Sequence, residues 1–163
     1  MPLLQALLSC LFTPNNTPSA PPRPTPHPHH PPWLPPTSPL PPAAATAFTR
    51  ILTAFASPTP SAVAPLRQRD RAALTDATKR ARALAALHAP VLLAHFCRCV
   101  LGGRVRPEVR AKLMPGVWAV LEGVGEEGGR AVGWGLDNSA LAVWRGVWGE
   151  WRRGVEGGGR GDR

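Results

Sequence analysis

Wherever apolar residues recur along this chain they do so at helical spacing. Leu3, Leu4, Leu7, Leu8, Leu11 and Phe12 form an opening run that reads as an amphipathic helix over residues 1–13. Phe48, Ile51, Leu52 and Phe55 fall at i, i+3, i+4 and i+7, one face of a short helix that Ser57-Pro58 should end. Leu74, Ala77, Ala81, Leu84 and His88 share the next face, with Arg71, Lys79 and Arg82 roughly opposite. Pro90 suits the first turn of a following helix, in which Leu93, Phe96, Cys97, Val100 and Leu101 repeat the pattern until Gly102-Gly103.

Pro107 then opens a helix with Glu108 in its first turn, and Val109, Leu113, Val117, Val120 and Val124 form its buried stripe. Pro115 lies inside that stripe and takes away the partner of the Ala111 carbonyl, which predicts a bend or break near Met114-Pro115-Gly116. The last helix starts from a cap among Asp137, Asn138 and Ser139 and carries Leu141, Trp144, Trp148, Trp151 and Val155 on a narrow stripe. No strand-like alternation persists long enough to build a sheet. The predicted fold is all-α, short antiparallel helices like the end of a helical-repeat, solenoid-like array.

Between Pro14 and Pro42, fourteen of twenty-nine residues are proline, which removes amide donors and fixes φ. This divides the chain into an N-terminal helix at 1–13, a disordered proline-rich insert at 14–43, a helical domain at 44–156 and a frayed glycine-rich tail at 157–163. The insert could present PxxP ligands, but a plain spacer fits its composition as well.

Charge changes the picture by its location. The formal net charge is +9, made of +2 over residues 1–65, +8 over 66–112 and −1 over 113–163. A concentrated surplus suits nucleic acid or an acidic protein, and the candidates for sequence-independent contact with RNA phosphates are Arg67, Arg69, Arg71, Lys79, Arg80, Arg82, Arg104 and Arg106. A solvated charged face explains the same residues. No motif of stacking aromatics for base reading accompanies them.

The remaining chemistry is sparse. Cys10, Cys97 and Cys99 form no disulfide framework and fit a reducing compartment. The opening apolar run has no preceding basic residue, unlike a secretory leader, and no stretch approaches the length a membrane span needs. His27, His29 and His30 lack a cysteine or carboxylate nearby. His88, His95, Cys97 and Cys99 do not make a known zinc spacing, because helical pitch points the two thiols about 200° apart. Gly123, Gly125, Gly128 and Gly129 lack the lysine-threonine ending of a phosphate loop, and the terminal Arg160-Gly161-Asp162 stands alone. Catalysis needs a positioned nucleophile, base or metal, so the reading is non-enzymatic, with no cofactor and no small-molecule substrate.

Residues 88–151 carry a pattern that resembles a known family: Pro107-Glu108-Val109-Arg110, then Leu113-Met114-Pro115-Gly116, then Trp144, Trp148 and Trp151 in the closing helix. It is similar to the C-terminal domain of the nucleolar 27S pre-rRNA-processing family, to which the fungal unhealthy-ribosome-biogenesis protein two belongs. Leu3–Pro14 and Phe48–Pro58 resemble that domain's opening helices, so the resemblance spans most of the chain except the insert. The closing helix departs from the family in lacking lysine and tyrosine and in containing Gly146 and Gly149.

The resemblance implies a nucleolar scaffold in early 60S assembly and 27S pre-rRNA processing, with other early assembly factors and pre-rRNA as partners and no membrane. Trp144, Trp148 and Trp151 would be its partner anchors, with core packing as the alternative role. Family members are large helical proteins, so the chain corresponds to their end. A basic module on RNA backbone and a non-functional fragment are the alternatives.

Overall fold

A computed structural model describes residues 2–14, 40–59 and 71–158. Its elements are α1 (Pro2–Ser9), β1 (Thr13–Pro14), α2 (Pro42–Ala56), α3 (Arg71–Gly102), β2 (Gly103–Arg104), α4 (Pro107–Trp134) and α5 (Asn138–Gly158). The fold is all-α. Its only sheet among the described residues is one antiparallel bridge, Thr13 opposite Arg104 and Pro14 opposite Gly103.

The core forms where α2, α3 and α4 meet. From α2 it takes Ala45, Phe48, Leu52 and Ala56, and from α4 Val109, Leu113, Val117, Val120 and Leu121, as the spacing requires. Ile51 falls outside that stripe and is 45% exposed. On α3 the buried side is turned by one position from the expected one. Ala85, Ala89, Leu92 and Leu93 are buried, whereas Leu84 and Leu87 are 58% and 69% exposed. The reason is close packing: Ala85, Ala86 and Ala89 meet Ala56, Val120 and Gly123 across a narrow gap, and leucine there would hold the helices apart.

Both prolines expected to end or bend helices lie inside continuous ones. Pro90 does not start a helix; α3 runs through it for 32 residues. Ala86, whose carbonyl loses its partner to Pro90, is exposed, so water can replace the lost donor, while buried Ala85 and Ala89 hold the rod straight. Pro115 also leaves α4 helical. The break in α4 is at Gly125, at φ 69° and ψ −173°, a conformation that a residue with a Cβ adopts only under strain.

Thr75–Gly102 is also more apolar than the sequence reading allowed. By length and a hydropathy of 1.7 it could cross a membrane, but half of that window is buried against the other helices, as in a core helix. Its buried His95 ties it to α1: Nε2 lies 2.9 Å from Ser9 Oγ, 3.1 Å from the Gln5 carbonyl and 3.4 Å from Cys99 Sγ.

The proline-rich insert, residues 15–39, lies outside the described residues, but its borders are placed. Leu40 donates its amide to the Cys10 carbonyl at 3.3 Å, and Arg106 donates to the Leu40 carbonyl at 3.1 Å. Pro42 and Ala43, assigned to the insert from composition, are the first turn of α2, where proline's missing donor costs nothing.

α5 begins from Asp137, whose Oδ1 accepts the Ala140 amide at 2.8 Å. Asp137→Ala should therefore cost about 1 kcal/mol, read as a lower urea midpoint with an unchanged slope. At the far end Arg152 and Arg130 pair with Glu126 at 2.9 and 3.5 Å, and these guanidinium groups hold its carboxyl below the usual range.

Candidate protein-docking site

The stretch Pro107–Gly116 makes up the first turns of α4, and its two sides have different surroundings. Val109 and Leu113 point into the core and are almost fully buried. Gly116 is the point where α2 crosses: a Cβ on it would lie 3.0 Å from both Leu52 Cδ1 and Thr49 Cα. Beside the crossing, Thr49 Oγ1 donates to the Lys112 carbonyl at 2.6 Å. A proline inside a helix displaces the carbonyls one turn before it, and this hydroxyl supplies an acceptor's partner at that turn. Thr49→Val should cost roughly 1 to 2 kcal/mol, measured by thermal unfolding.

The other side of the same turns is open. Pro107, Arg110, Ala111, Met114, Pro115 and Trp118 form one wall of a groove of about 740 Å³. The facing wall is Val143, Gly146, Val147 and Glu150 of α5, and Phe96, Val100 and Val105 line the groove as well. Arg110 and Glu150 join the walls through a salt bridge of 3.3 Å, each side chain about half exposed. Trp118, at 38% exposure, was not singled out in the sequence. The signal was there, because Pro107, Ala111, Met114 and Trp118 make a second stripe at helical spacing on the same helix.

Six of the eight motif residues thus serve in one of these two ways: Val109, Leu113 and Gly116 in packing, Pro107, Arg110 and Pro115 at the groove. Met114 does both, being buried and groove-lining, and Glu108 is exposed in the first turn of α4.

The three tryptophans of α5 face inward. Trp144 is in the core, Trp148 sets its ring against the backbone of Gly129, and Trp151 continues the stack, with ring centroids 5.5 and 5.1 Å apart. Buried Trp151 Nε1 has no hydrogen-bond partner among the described residues.

The basic candidates are not brought together. Arg67 and Arg69 lie outside the described residues, and of Arg71 only the backbone is described. Lys79, Arg80 and Arg82 are exposed on the first half of α3. Arg104 and Arg106 follow its far end, roughly 30 Å away by the rise of the helix.

Among the described residues no group of three histidine, cysteine or acidic side chains could hold a metal ion. Burial pushes the Cys97 thiol up to about 12 and the Cys99 thiol up to about 11, leaving both neutral and poorly nucleophilic near pH 7.

What this arrangement offers is a wet apolar slot and no reaction centre. Neither the curated proteins nor the solved structures contain a match to the chain. A family profile does match, over residues 1–154, and with it the motif turns, the α2 crossing and the closing helix find their place: the chain belongs to the Urb2/Npa2 family of ribosome-biogenesis proteins.

Proposed function

We propose that the chain is a non-enzymatic scaffold piece for early 60S assembly and 27S pre-rRNA processing in the nucleolus, and that the groove between α4 and α5 holds a segment of another assembly factor. The observation that carries this is the groove itself, an open apolar slot walled by residues of the family motif. Contiguous apolar surface of this kind, rimmed by charge, marks interaction sites on soluble proteins. Because Trp144 and Trp148 are engaged internally, Trp118 replaces them as the anchor to test. The relation to a helical-repeat array belongs to the same proposal: exposed Leu84, Leu87 and Val91 form a stripe that an adjoining helix could cover.

The test is affinity purification of the tagged chain from nuclear extract, with and without Trp118→Ala. Recovery of 27S-type pre-rRNA and early 60S factors, lost on Trp118→Ala at an unchanged fold, is the expected result. Recovery of neither by the parent chain would leave an inert fragment and overturn the proposal.

A second reading has its own support in exposed Lys79, Arg80 and Arg82. They would contact RNA phosphates without reading sequence, and that binding should fall steeply as salt rises. Affinity independent of salt would remove this reading.

A further inference from the structure

Resting on the reading of the groove as a protein-holding surface, we infer that its occupant is an amphipathic helix of a partner protein whose apolar stripe is edged by carboxylates. Shape is the first argument. Along α4 the groove side recurs at 107, 111, 114 and 118, and along α5 at 143, 146, 147 and 150. Both are helical spacings, so the walls present the ridges into which a third helix fits its own. From Pro107 to Trp118 the wall is about 16 Å long, three turns of such a helix. Room exists where the helix axis must come close: Ala111 is small, and a Cβ on Gly146 would meet nothing within 4 Å. At the end of the wall Trp118 offers the broad, partly wet ring that gains most from being covered.

Charge is the second argument. Lining charges are limited to Arg110 and Glu150, which pair with each other. Around the Pro107 end stand the guanidinium groups of Arg104 and Arg106 as well, against the single carboxylate of Glu108. The end is therefore net positive, and it belongs to the segment 66–112 that holds most of the chain's charge of +9. Carboxylates flanking the apolar stripe match it, and steer the encounter. RNA fits poorly, because Phe96, Val100 and Met114 would desolvate phosphates and sugars without giving them partners.

The test uses the full chain and three labelled synthetic peptides, followed by fluorescence anisotropy. One carries leucine and tryptophan at helical spacing edged by glutamates, one has the same stripe edged by lysines, and one has the glutamates without the stripe. The first should bind about tenfold or more tightly than either other. Gly146→Leu should weaken it by about tenfold or more while leaving the circular-dichroism melt unchanged or raised, since leucine fills open space and is the better helix former.

Equal binding of acidic and basic peptides, or no effect of Gly146→Leu, overturns the inference. So does self-association that Gly146→Leu abolishes, which makes the occupant a second copy, and so does peptide binding that appears only after residues 15–39 are removed, which makes it the chain's own insert. The two readings fail separately. If Trp118→Ala loses the assembly factors but no acidic peptide binds, the helix assignment falls and the docking reading stands; if the peptide binds while Trp118→Ala recovers the same factors, the docking reading falls and the peptide preference of the groove stands.

Discussion

Replacing Gly116 by valine should lower the thermal midpoint of the helical domain by roughly 10 °C. The new Cβ would stand 3.0 Å from Leu52 Cδ1, which can turn aside, but also 3.0 Å from Thr49 Cα, which belongs to the α2 backbone and cannot. Either α2 retreats, separating Phe48 and Leu52 from the core, or α4 bends. Overpacking of this kind costs about 1 to 3 kcal/mol, and the upper end applies because backbone has to move. Two companions make the result diagnostic. Gly146→Ala, on a helix of the same domain with nothing within 4 Å, should stabilise by up to about 1 kcal/mol. Adding Leu52→Ala to Gly116→Val should recover little, because the Thr49 contact survives it. An unshifted midpoint for Gly116→Val would mean that α2 does not cross α4 at this point.

That crossing also shows why some of the fold was legible in the sequence and some was not. Helix starts and stops with local causes were readable: Pro107 and Glu108 at the start of α4, Ser57 closing α2, Gly102 ending α3, and a cap that proves to be Asp137. The stripe of Val109, Leu113, Val117 and Val120 was readable for the same reason, since one helix face defines it. Pro115 was not. Its effect on α4 depends on whether the displaced carbonyls find other partners, and the hydroxyl that reaches Lys112 comes from Thr49, 63 residues away. Pro90 failed as a helix start for a related reason, because exposed Ala86 leaves its carbonyl to water. The break at Gly125 was hidden by its neighbours, for Gly123, Gly128 and Gly129 stay helical within the same run. The turn of α3 away from Leu84 came from the alanines opposite, which a single-helix pattern cannot weigh.

The candidate site was legible by half. The residues Pro107–Gly116 stood out as a motif, yet a motif does not say which side of the helix faces the core. Val109, Leu113 and Gly116 answered one way, Arg110 and Pro115 the other. The basic residues suffered from the opposite problem. Adjacent in sequence composition, they lie at two ends of a helix of 32 residues, so a charge count over a segment merged two surfaces into one. The family's name for this domain entered through the motif alone; the groove needed α5 in place.

Raising the pH from 9 towards 12 should unfold the domain, and the cause should be its thiols. Cys97 and Cys99 are 0% and 2% exposed, and burial raises them from the ordinary 9.0 to about 12 and about 11. The folded state keeps both protons where the unfolded chain has already lost them. Stability is thus complete below pH 9 and falls as pH climbs, by about 1.4 kcal/mol per pH unit for each thiol, until each folded value is reached. Ordinarily tyrosines and lysines blur such a window. Here the chain has no tyrosine and only Lys79 and Lys112, while arginine holds its charge throughout. The two thiols should therefore dominate, and urea midpoints at pH 8, 9.5 and 10.5 should fall in step. The double variant Cys97→Ala/Cys99→Ala tests the assignment, since it lowers stability at pH 8 through lost packing but should flatten the alkaline slope. If the variant keeps the parent's slope, these cysteines are not what the alkaline chain has to ionise, and the burial that α1, α3 and the core impose on them is less complete than the packing shows.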